Sequence, residues 1–373
     1  MTITLIGFLV VISGIIYSSL IFWYYYGWIK TPVFKPGSFT FSPKVSVIVA
    51  FRNEEKVLQN LLNDLINQSY SSELFEVILV DDHSTDGSYD LVKNRIEVNT
   101  SFKLIKNQGE GKKQAISEAI EICSGELFIT TDADCRMGND WLKTITSYYS
   151  ENSPNMLIGP VLPARNESIF SKLVALEFFS LIGSAAGAAS IKHPIMNNGA
   201  NLAYPRTSFN SVSQPFNSET ASGEDIFFML KLKKNEQSKI RFLKSNKAAV
   251  STHLPTGFEE LWQQRVRWVS KSKYYTDFDM IFSAVIVWLV GFLMLSTLIA
   301  GIFYPIFFIM YAFLFVIKSV PDYLLLSSVL SFFDRKDLIR YFIPLQVIYP
   351  LYVTLTGFFG LIFAKFSWKD RKY

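Results

Sequence analysis

GELFITTDADC, Gly125–Cys135, runs from a glycine through a short apolar stretch into two carboxylates one residue apart. A strand buried on both faces reads as a continuous apolar run, and this one stops at acids. The same pattern occurs upstream. VSVIVAF (Val45–Phe51) leads into FRNEE, and FEVILVDD (Phe75–Asp82) leads into DDHSTDGS, while FKLI (Phe102–Ile105) is a third short strand. Between them, Glu54–Gln68 places Val57, Leu58, Leu61, Leu62, Leu65 and Ile66 at helical spacing. Asp86 opens a second helix to about Val98, and Lys112–Cys123 forms a third. Strands alternating with helices predict an α/β domain with a mostly parallel sheet covered on both faces. Ligands of such sheets bind outside the carboxyl ends of the strands, and three of these four strands end in polar clusters.

The rest of the chain has a different character. Half of its 373 residues are hydrophobic and only 18% are charged, against about a quarter in an average soluble protein. The excess lies in the first thirty residues and the last hundred. Ile3–Trp28 carries no charge and ends in WYYYGW, so it is long enough for a bilayer and has aromatic residues for the headgroup level. Without a basic start or a small-residue cleavage site it reads as a retained anchor and not as a signal peptide. Met280–Val320 contains a single charge, Lys318, and accommodates two crossings broken at GIFYP (Gly301–Pro305). Tyr341–Ala364 is another, and the short YLLLSSVLSFF (Tyr323–Phe333) is a further span, a re-entrant segment or an interfacial one. The predicted organisation is a transmembrane helix over 1–29, a linker over 30–43 and a cytoplasmic domain over 44–254. An interfacial amphipathic helix over 255–278, three or four spans within 279–366 and a basic tail over 367–373 complete it. Lys30 and Lys35 orient the domain toward the cytoplasm. Three later spans would carry the basic tail to the other side, against the same tendency. A net charge of +4 is too mild for a nucleic-acid partner. Cys123 and Cys135, in a reducing compartment with only three histidines in the chain, read as packing residues.

On an extended segment Asp132 and Asp134 point to one side. Two close carboxylates repel unless a cation lies between them. Oxygen ligands without imidazole or thiolate suit Mg²⁺ or Mn²⁺, which fill their shells with water and phosphate oxygens. The bland alternative is a solvated turn. Asp81 and Asp82 end the second strand, where one caps or turns and the other can accept hydrogen bonds from a nucleobase or ribose. NQGEGKK (Asn107–Lys113) offers glycines for close approach and Lys112 as a point charge for phosphate; neither a P-loop nor a G-x-G-x-x-G is present. In SGEDIFFMLKL, Asp225 precedes an apolar helix, where a carboxylate can act as general base or where Ser222 or Asp225 merely caps. In FEELWQQRVRWVSKSKYY, Gln264, Arg267 and Trp268 share one helical face suited to a diphosphate and a sugar. The alternative is an interfacial helix with Arg265, Lys271 and Lys273 near lipid headgroups.

Taken in order, VSVIVAFRNEE, ILVDDHSTDGS, TTDADC, GED and QQRVRW resemble the processive, membrane-embedded family 2 glycosyltransferases, the family of cellulose, chitin, hyaluronan and poly-N-acetylglucosamine synthases. The resemblance spans about Val45–Trp268. It implies a GT-A type, Rossmann-like domain inserted between transmembrane helices, a nucleotide-sugar donor (a UDP-sugar above all), Mg²⁺ or Mn²⁺, and inversion to a β-linkage. Carried over by position, Glu54, Asp81, Asp82, Lys112 and Asp132 would contact the donor, as would Gln264, Arg267 and Trp268. Asp134, with Asp132, would hold the metal, and Asp225 would be the catalytic base. Asn198, Gly199 and Asn201 in NNGANLAYPR, together with Glu224 and Trp268, would line the acceptor site. The chain departs from the usual pattern at Ala50 and Arg52, and its membrane part is small. The expected product is therefore an extended polysaccharide or oligosaccharide, or alternatively a single sugar on a membrane lipid. A noncatalytic scaffold is disfavoured by the intact acids. An export partner is unassigned.

Overall fold

The computed structural model describes residues 2–37, 42–216, 223–235, 237–362, 367–368 and 371–372. It divides into a sheet unit (32–164 and 196–253) and a helical unit (1–31, 165–195 and 254–373). The domain expected as continuous over 44–254 is thus interrupted, because residues 165–195 group with the apolar helices. The basic tail lies mostly outside the described residues.

The chain opens with α1 (Thr2–Lys30), which belongs to the helical unit. In the sheet unit the expected strands are β1 (Val45–Phe51), β2 (Phe75–Asp81), β3 (Phe102–Lys106) and β4 (Leu127–Thr130). The expected helices are α2 (Glu55–Ile66), α3 (Ser88–Ile96) and α4 (Gly111–Ile122). Three shorter strands extend the sheet: β6 (Met156–Ile158), β8 (Leu202–Pro205) and β9 (Ile240–Phe242). The order is β3-β2-β1-β4-β8-β6-β9. The first four strands run parallel, with Val45 opposite both Phe75 and Leu127, while β8 is antiparallel to β4 and β6. The chain winds outward from β1 to β3, then crosses through α4 to β4 on the other side of β1. That reversal opens a crevice at the carboxyl ends of β1 and β4. A second sheet, β5 (Arg136–Met137), β10 (Val250–Thr252) and β7 (Val161–Pro163), begins directly after TTDADC. Helices α5 (Trp141–Asn152), α7 (Arg206–Asn210) and α8 (Glu224–Lys233) complete the unit.

One carboxylate ties the first strands together. Glu76 Oε1 accepts from Ser46 Oγ (2.7 Å), Ser124 N (2.5 Å) and Ser124 Oγ (2.9 Å), and Oε2 accepts from Lys103 Nζ (2.8 Å). Burial works against its ionised form, but Lys103 and the serine donors outweigh it and hold the pKa down at about 2. A depressed carboxylate stabilises the fold above its unfolded pKa, and that stabilisation fades as pH falls toward the folded value. Glu76→Gln should therefore cost roughly 2 kcal/mol at pH 7, discounted because Lys103 is half-exposed. Unfolding measured against pH should show the variant and the parent converging between about pH 4.5 and about pH 2.

The helical unit contains α6 (Ile169–Ser190), the amphipathic α9 (Phe258–Ser270), α10 (Phe278–Gly301), α11 (Ile306–Phe332) and α12 (Phe342–Ile362). Among the described residues five helices are long and apolar enough to cross a membrane, the last over Lys336–Ile362, and they include α6, which falls within the expected domain. YLLLSSVLSFF is no separate span, because it continues α11 through Phe332. Two helices keep company along their lengths: Gly7 faces Met310, Gly14 faces Leu314 and Ile317, and Trp28 Nε1 donates to Ser328 Oγ (2.8 Å), so α1 and α11 run parallel. The turn over residues 302–305 folds α10 back beside α11.

The other two apolar helices lie across these. On α6, Gly187 and Gly27 approach so closely that a Cβ on either would lie 2.1 Å from a backbone oxygen of α1 or α6. Gly183 meets Leu325 and Val329, and Phe179 meets Phe333. All these partners sit in the last turns of α1 and α11 or just after them, so α6 spans their ends, with small residues allowing backbone contact. In the same way α12 meets α11 at Lys318 and Asp322 and α10 at Trp288 and Gly291, and its Gly360 faces Val269 of α9. The three expected C-terminal spans correspond to α10, α11 and the helix over 336–362, each long and apolar enough to cross a membrane, with α12 packed across the first two.

A buried polar knot fixes α12. Lys318, 2% exposed, donates from Nζ to Asp322 Oδ2 (2.6 Å) and Gln346 Oε1 (2.6 Å); Gln346 Nε2 and Tyr17 OH complete the shell of Asp322. Removing one member of such a pair strands a charge in an apolar interior. Lys318→Met should lower stability in detergent by about 3 kcal/mol, and Lys318→Met with Asp322→Leu should recover part of it. A double variant no more stable than the single would show that the charges are not coupled.

Candidate active site

The strand ends are held by one another. After β1, Asn53 adopts a left-handed φ of 53° and its Oδ1 accepts from Thr85 N (2.8 Å). Arg52 Nη1 donates to Asp82 O (3.1 Å), and Glu54 N donates to Ser88 Oγ (2.8 Å). Asp81 Oδ1 accepts from Ser84 N (3.3 Å), the local turn foreseen for one of the two acids. Asp82 is 3% exposed, and its Oδ1 accepts from Asn107 Nδ2 (2.7 Å) and Gly111 N (2.9 Å). It therefore shapes the NQGEGK loop. Gly111, at φ +85°, occupies a conformation open to glycine and starts α4 so that Lys112 follows at once.

Lys112 is the centre of the site. Its Nζ donates to Asp132 Oδ1 (2.5 Å) and lies 3.5 Å from Glu224 Oε1. Burial opposes its charge, but Asp132, Glu224 and Asp225 together raise its pKa above the ordinary lysine value. TTDADC is a tight turn and not an extended segment, since Cys135 N donates to Asp132 O (3.1 Å). The two acids stay coupled nonetheless. Asp134 Oδ2 accepts from Thr252 Oγ1 at the end of β10 (2.8 Å). Burial, and then the charge of Asp132, raise the pKa of Asp134, with a smaller push from Glu54.

The start of α8 closes the ring. Gly223, at φ +96°, precedes Glu224, whose Oε2 accepts from Gly223 N (3.0 Å). Asp225 Oδ2 accepts from Gly199 N (2.8 Å) and Oδ1 from Ile226 N (2.8 Å). Gly199 O accepts in turn from Thr130 Oγ1 at the end of β4 (2.8 Å), and Asn197 Nδ2 donates to Asp225 O (2.9 Å). Ser222, the other capping candidate, lies outside the described residues. Asn198 Oδ1 accepts from Ala200 N (3.0 Å) and shapes the turn that presents Gly199. Asn201 does not fit its expected acceptor role. It is 1% exposed, accepts from Trp141 Nε1 (3.1 Å) and donates to Pro160 O and Ala248 O (2.8 Å each), so it is a structural cross-brace.

In the helical unit, Gln264, Arg267 and Trp268 stand on α9 as expected. Arg265, placed near lipid headgroups in the alternative reading of this helix, is buried and engages Gln264 and Trp268. It donates to Gln264 Oε1 and to Glu177 Oε2 of α6, and its guanidinium lies 4.2 Å from the Trp268 ring. A buried counterion 88 residues away outweighs the headgroup preference.

Among the described residues no group of three or more metal-ligating side chains is close enough to cage an ion. Asp132 and Asp134 still fit Mg²⁺ or Mn²⁺, which use one or two protein carboxylates and draw remaining ligands from water and phosphate. Thr252, Asn107 and Thr130 had no signal in the sequence, since each acts through hydrogen bonds to partners remote along the chain.

Residues 46–209, somewhat under half of the chain, match the model of glycosyl transferase family 2. The chain is 24% identical over 251 residues to the beta-monoglucosyldiacylglycerol synthase of Nostoc sp., covering 64% of this chain and 51% of that protein. It is 30% identical over 119 residues to the poly(ribitol-phosphate) beta-glucosyltransferase of Bacillus spizizenii, covering 31% of this chain and 19% of that one. The chain thus spans about half of the first relative and about a fifth of the second. The fold is that of mannosyltransferase PcManGT from Pyrobaculum calidifontis, solved with GDP-Man and Mn²⁺, at a TM-score of 0.57 and 16% identity over 95% of this chain and 98% of that one.

Coupling between the two acids can be tested directly. Asp132→Asn should move the titration of Asp134, followed by carboxyl-carbon NMR, to lower pH, because one of its raising charges is gone. An unmoved titration would mean that the carboxylates do not share a volume.

Proposed function

We propose that this chain is a membrane-bound, inverting glycosyltransferase that moves one sugar from a nucleotide-sugar onto a hydroxyl of a membrane lipid, forming a β-glycosidic bond. The convergence of Lys112, Asp132, Glu224 and Asp225, with Asp134 beside them, carries this reading. As the acceptor oxygen bonds to the anomeric carbon, its proton passes to the Asp225 carboxylate. Gly199 N and Ile226 N orient that carboxylate for the transfer. The bond to the nucleoside diphosphate breaks on the opposite face, and Lys112 offsets the charge left on the leaving group. A divalent cation on Asp132 and Asp134 would add further positive charge there. Gly199, fastened to Asp225, is assigned to the acceptor floor. Gln264, Arg267 and Trp268 keep the donor and acceptor roles that the resemblance gives them.

A lipid acceptor is favoured over a growing polymer by the helical unit. Among the described residues α1, α10 and α11 run lengthwise, and α1 and α11 pack so tightly that a Cβ at Gly14 would lie 3.0 Å from Ile317. These three helices are read as crossing the bilayer, with α6, α9 and α12 at its cytoplasmic face. Lys30, Lys271, Lys273, Lys336 and Arg340 then share one side, as the positive-inside tendency requires. This arrangement removes the conflict over the basic tail, which three later crossings would have created. The first relative, a beta-monoglucosyldiacylglycerol synthase by name, fits the same reading. Chain extension is the second reading, supported by the Gln264 and Trp268 pair clamped by Arg265.

In lipid-reconstituted protein screened with UDP-glucose, UDP-N-acetylglucosamine, UDP-galactose and GDP-mannose, Asp225→Asn should cut turnover at least about a hundredfold while donor affinity holds. Chelation should stop turnover, and Mg²⁺ or Mn²⁺ should restore it. Radiolabel in a low-mass lipid extract supports the first reading, and label in a polymer on a gel supports the second. Undiminished turnover of Asp225→Asn would remove Asp225 from the mechanism.

A further inference from the structure

A cavity of about 560 Å³ lies in the helical unit between the start of α6 and the turn that joins α11 to α12. Arg165, Lys172, Arg335, Lys336 and Arg340 line it, against the acids Glu167, Asp334 and Asp337. Two of those acids already have partners: Glu167 Oε2 accepts from Lys172 Nζ (2.7 Å) and Asp337 Oδ1 from Arg335 Nε (3.3 Å). Positive charge is therefore in excess. The walls are rigid, for Arg335 is buried beside the Phe179 ring (5.7 Å), Arg335 N donates to Leu330 O (2.9 Å), and buried Leu338 anchors the turn. Ser168 caps α6 by accepting from Ser171 N (3.0 Å), so the positive end of a 22-residue helix adds to the field.

The position of the cavity indicates the source of the anion. It opens where the long apolar α11 stops and where α6 begins with an exposed Ile169, which is the depth of lipid phosphates if α11 crosses the bilayer. We propose that this cavity binds the phosphate-bearing head group of an anionic membrane lipid, at a site separate from the acidic strand ends. The inference rests on the membrane reading above and is independent of the transfer chemistry. Arg165, Lys336 and Arg340 are exposed and supply charge that is free to reorient toward a phosphate, while the paired Lys172 and Arg335 hold the walls.

The test uses the full chain in neutral detergent, with Arg165→Gln, Lys336→Gln and Arg340→Gln combined. Native mass spectrometry should show the parent retaining phosphatidylglycerol over phosphatidylcholine by about tenfold, a few charge contacts' worth, and the triple variant losing that preference. Lys336→Gln alone, on an exposed side chain, should lower the preference partway and guards against misfolding of the triple variant. An equal preference in parent and triple variant, or none in the parent, overturns the site. Inorganic phosphate at millimolar concentration that displaces phosphatidylglycerol and stabilises the protein as well as the lipid does overturns the lipid source. Resistance of the parent to alkaline extraction from membranes reports the crossing helices separately, so failure of the cavity and failure of the membrane reading are distinguishable.

Discussion

The sheet unit is organised around a lysine among acids. Lys112 reaches Asp132 and Glu224 and feels the charge of Asp225, so one cation holds together side chains from the end of β4 and the start of α8. Without it, three carboxylates would face one another in a partly buried space, and each would have to protonate or move away. That single charge makes an acidic pocket compatible with a folded protein. It also leaves one positive centre among these acids.

The lysine is placed by backbone, not by its own packing. Asp82 captures Gly111 N, the positive φ of Gly111 turns the chain, and α4 begins with Lys112 at its first turn. Asp225 is placed in a similar way, by Gly199 on one side and the end of β4 beyond it. Two acids separated by about a third of the chain are therefore fixed by hydrogen bonds to peptide groups, which have no rotamer freedom to lose.

Much of the sheet unit was legible because parallel strands buried on both faces write themselves as unbroken apolar runs. Strands β6, β8 and β9 were not, since three or four residues give too little pattern. The acids were found because they stand at strand ends, whereas Asn201 misled because an asparagine in a polar segment looks the same whether it faces a ligand or braces a core. On the membrane side, hydropathy finds apolar helices but not their direction. Helix α6, with Lys172 and Glu177 in it, was hidden inside the expected domain, and α12 has the composition of a span yet lies crosswise. Small residues at close contacts, Gly27 against the Gly187 backbone and Gly357 against the Trp288 side chain, record that geometry. Arg265 was misplaced for a related reason, because its partner Glu177 is remote in sequence.

The turn over residues 302–305 holds Ile302, Phe303, Tyr304 and Pro305, with no charge. With α1, α10 and α11 as crossings in the proposed reading, this turn lies at the end of α10 and α11 opposite Lys30, Lys271 and Lys336. On that reading, a lipid glycosylated at the face of those lysines would meet no charged side chain at this turn. Delivery to the opposite leaflet would be the work of a separate flippase.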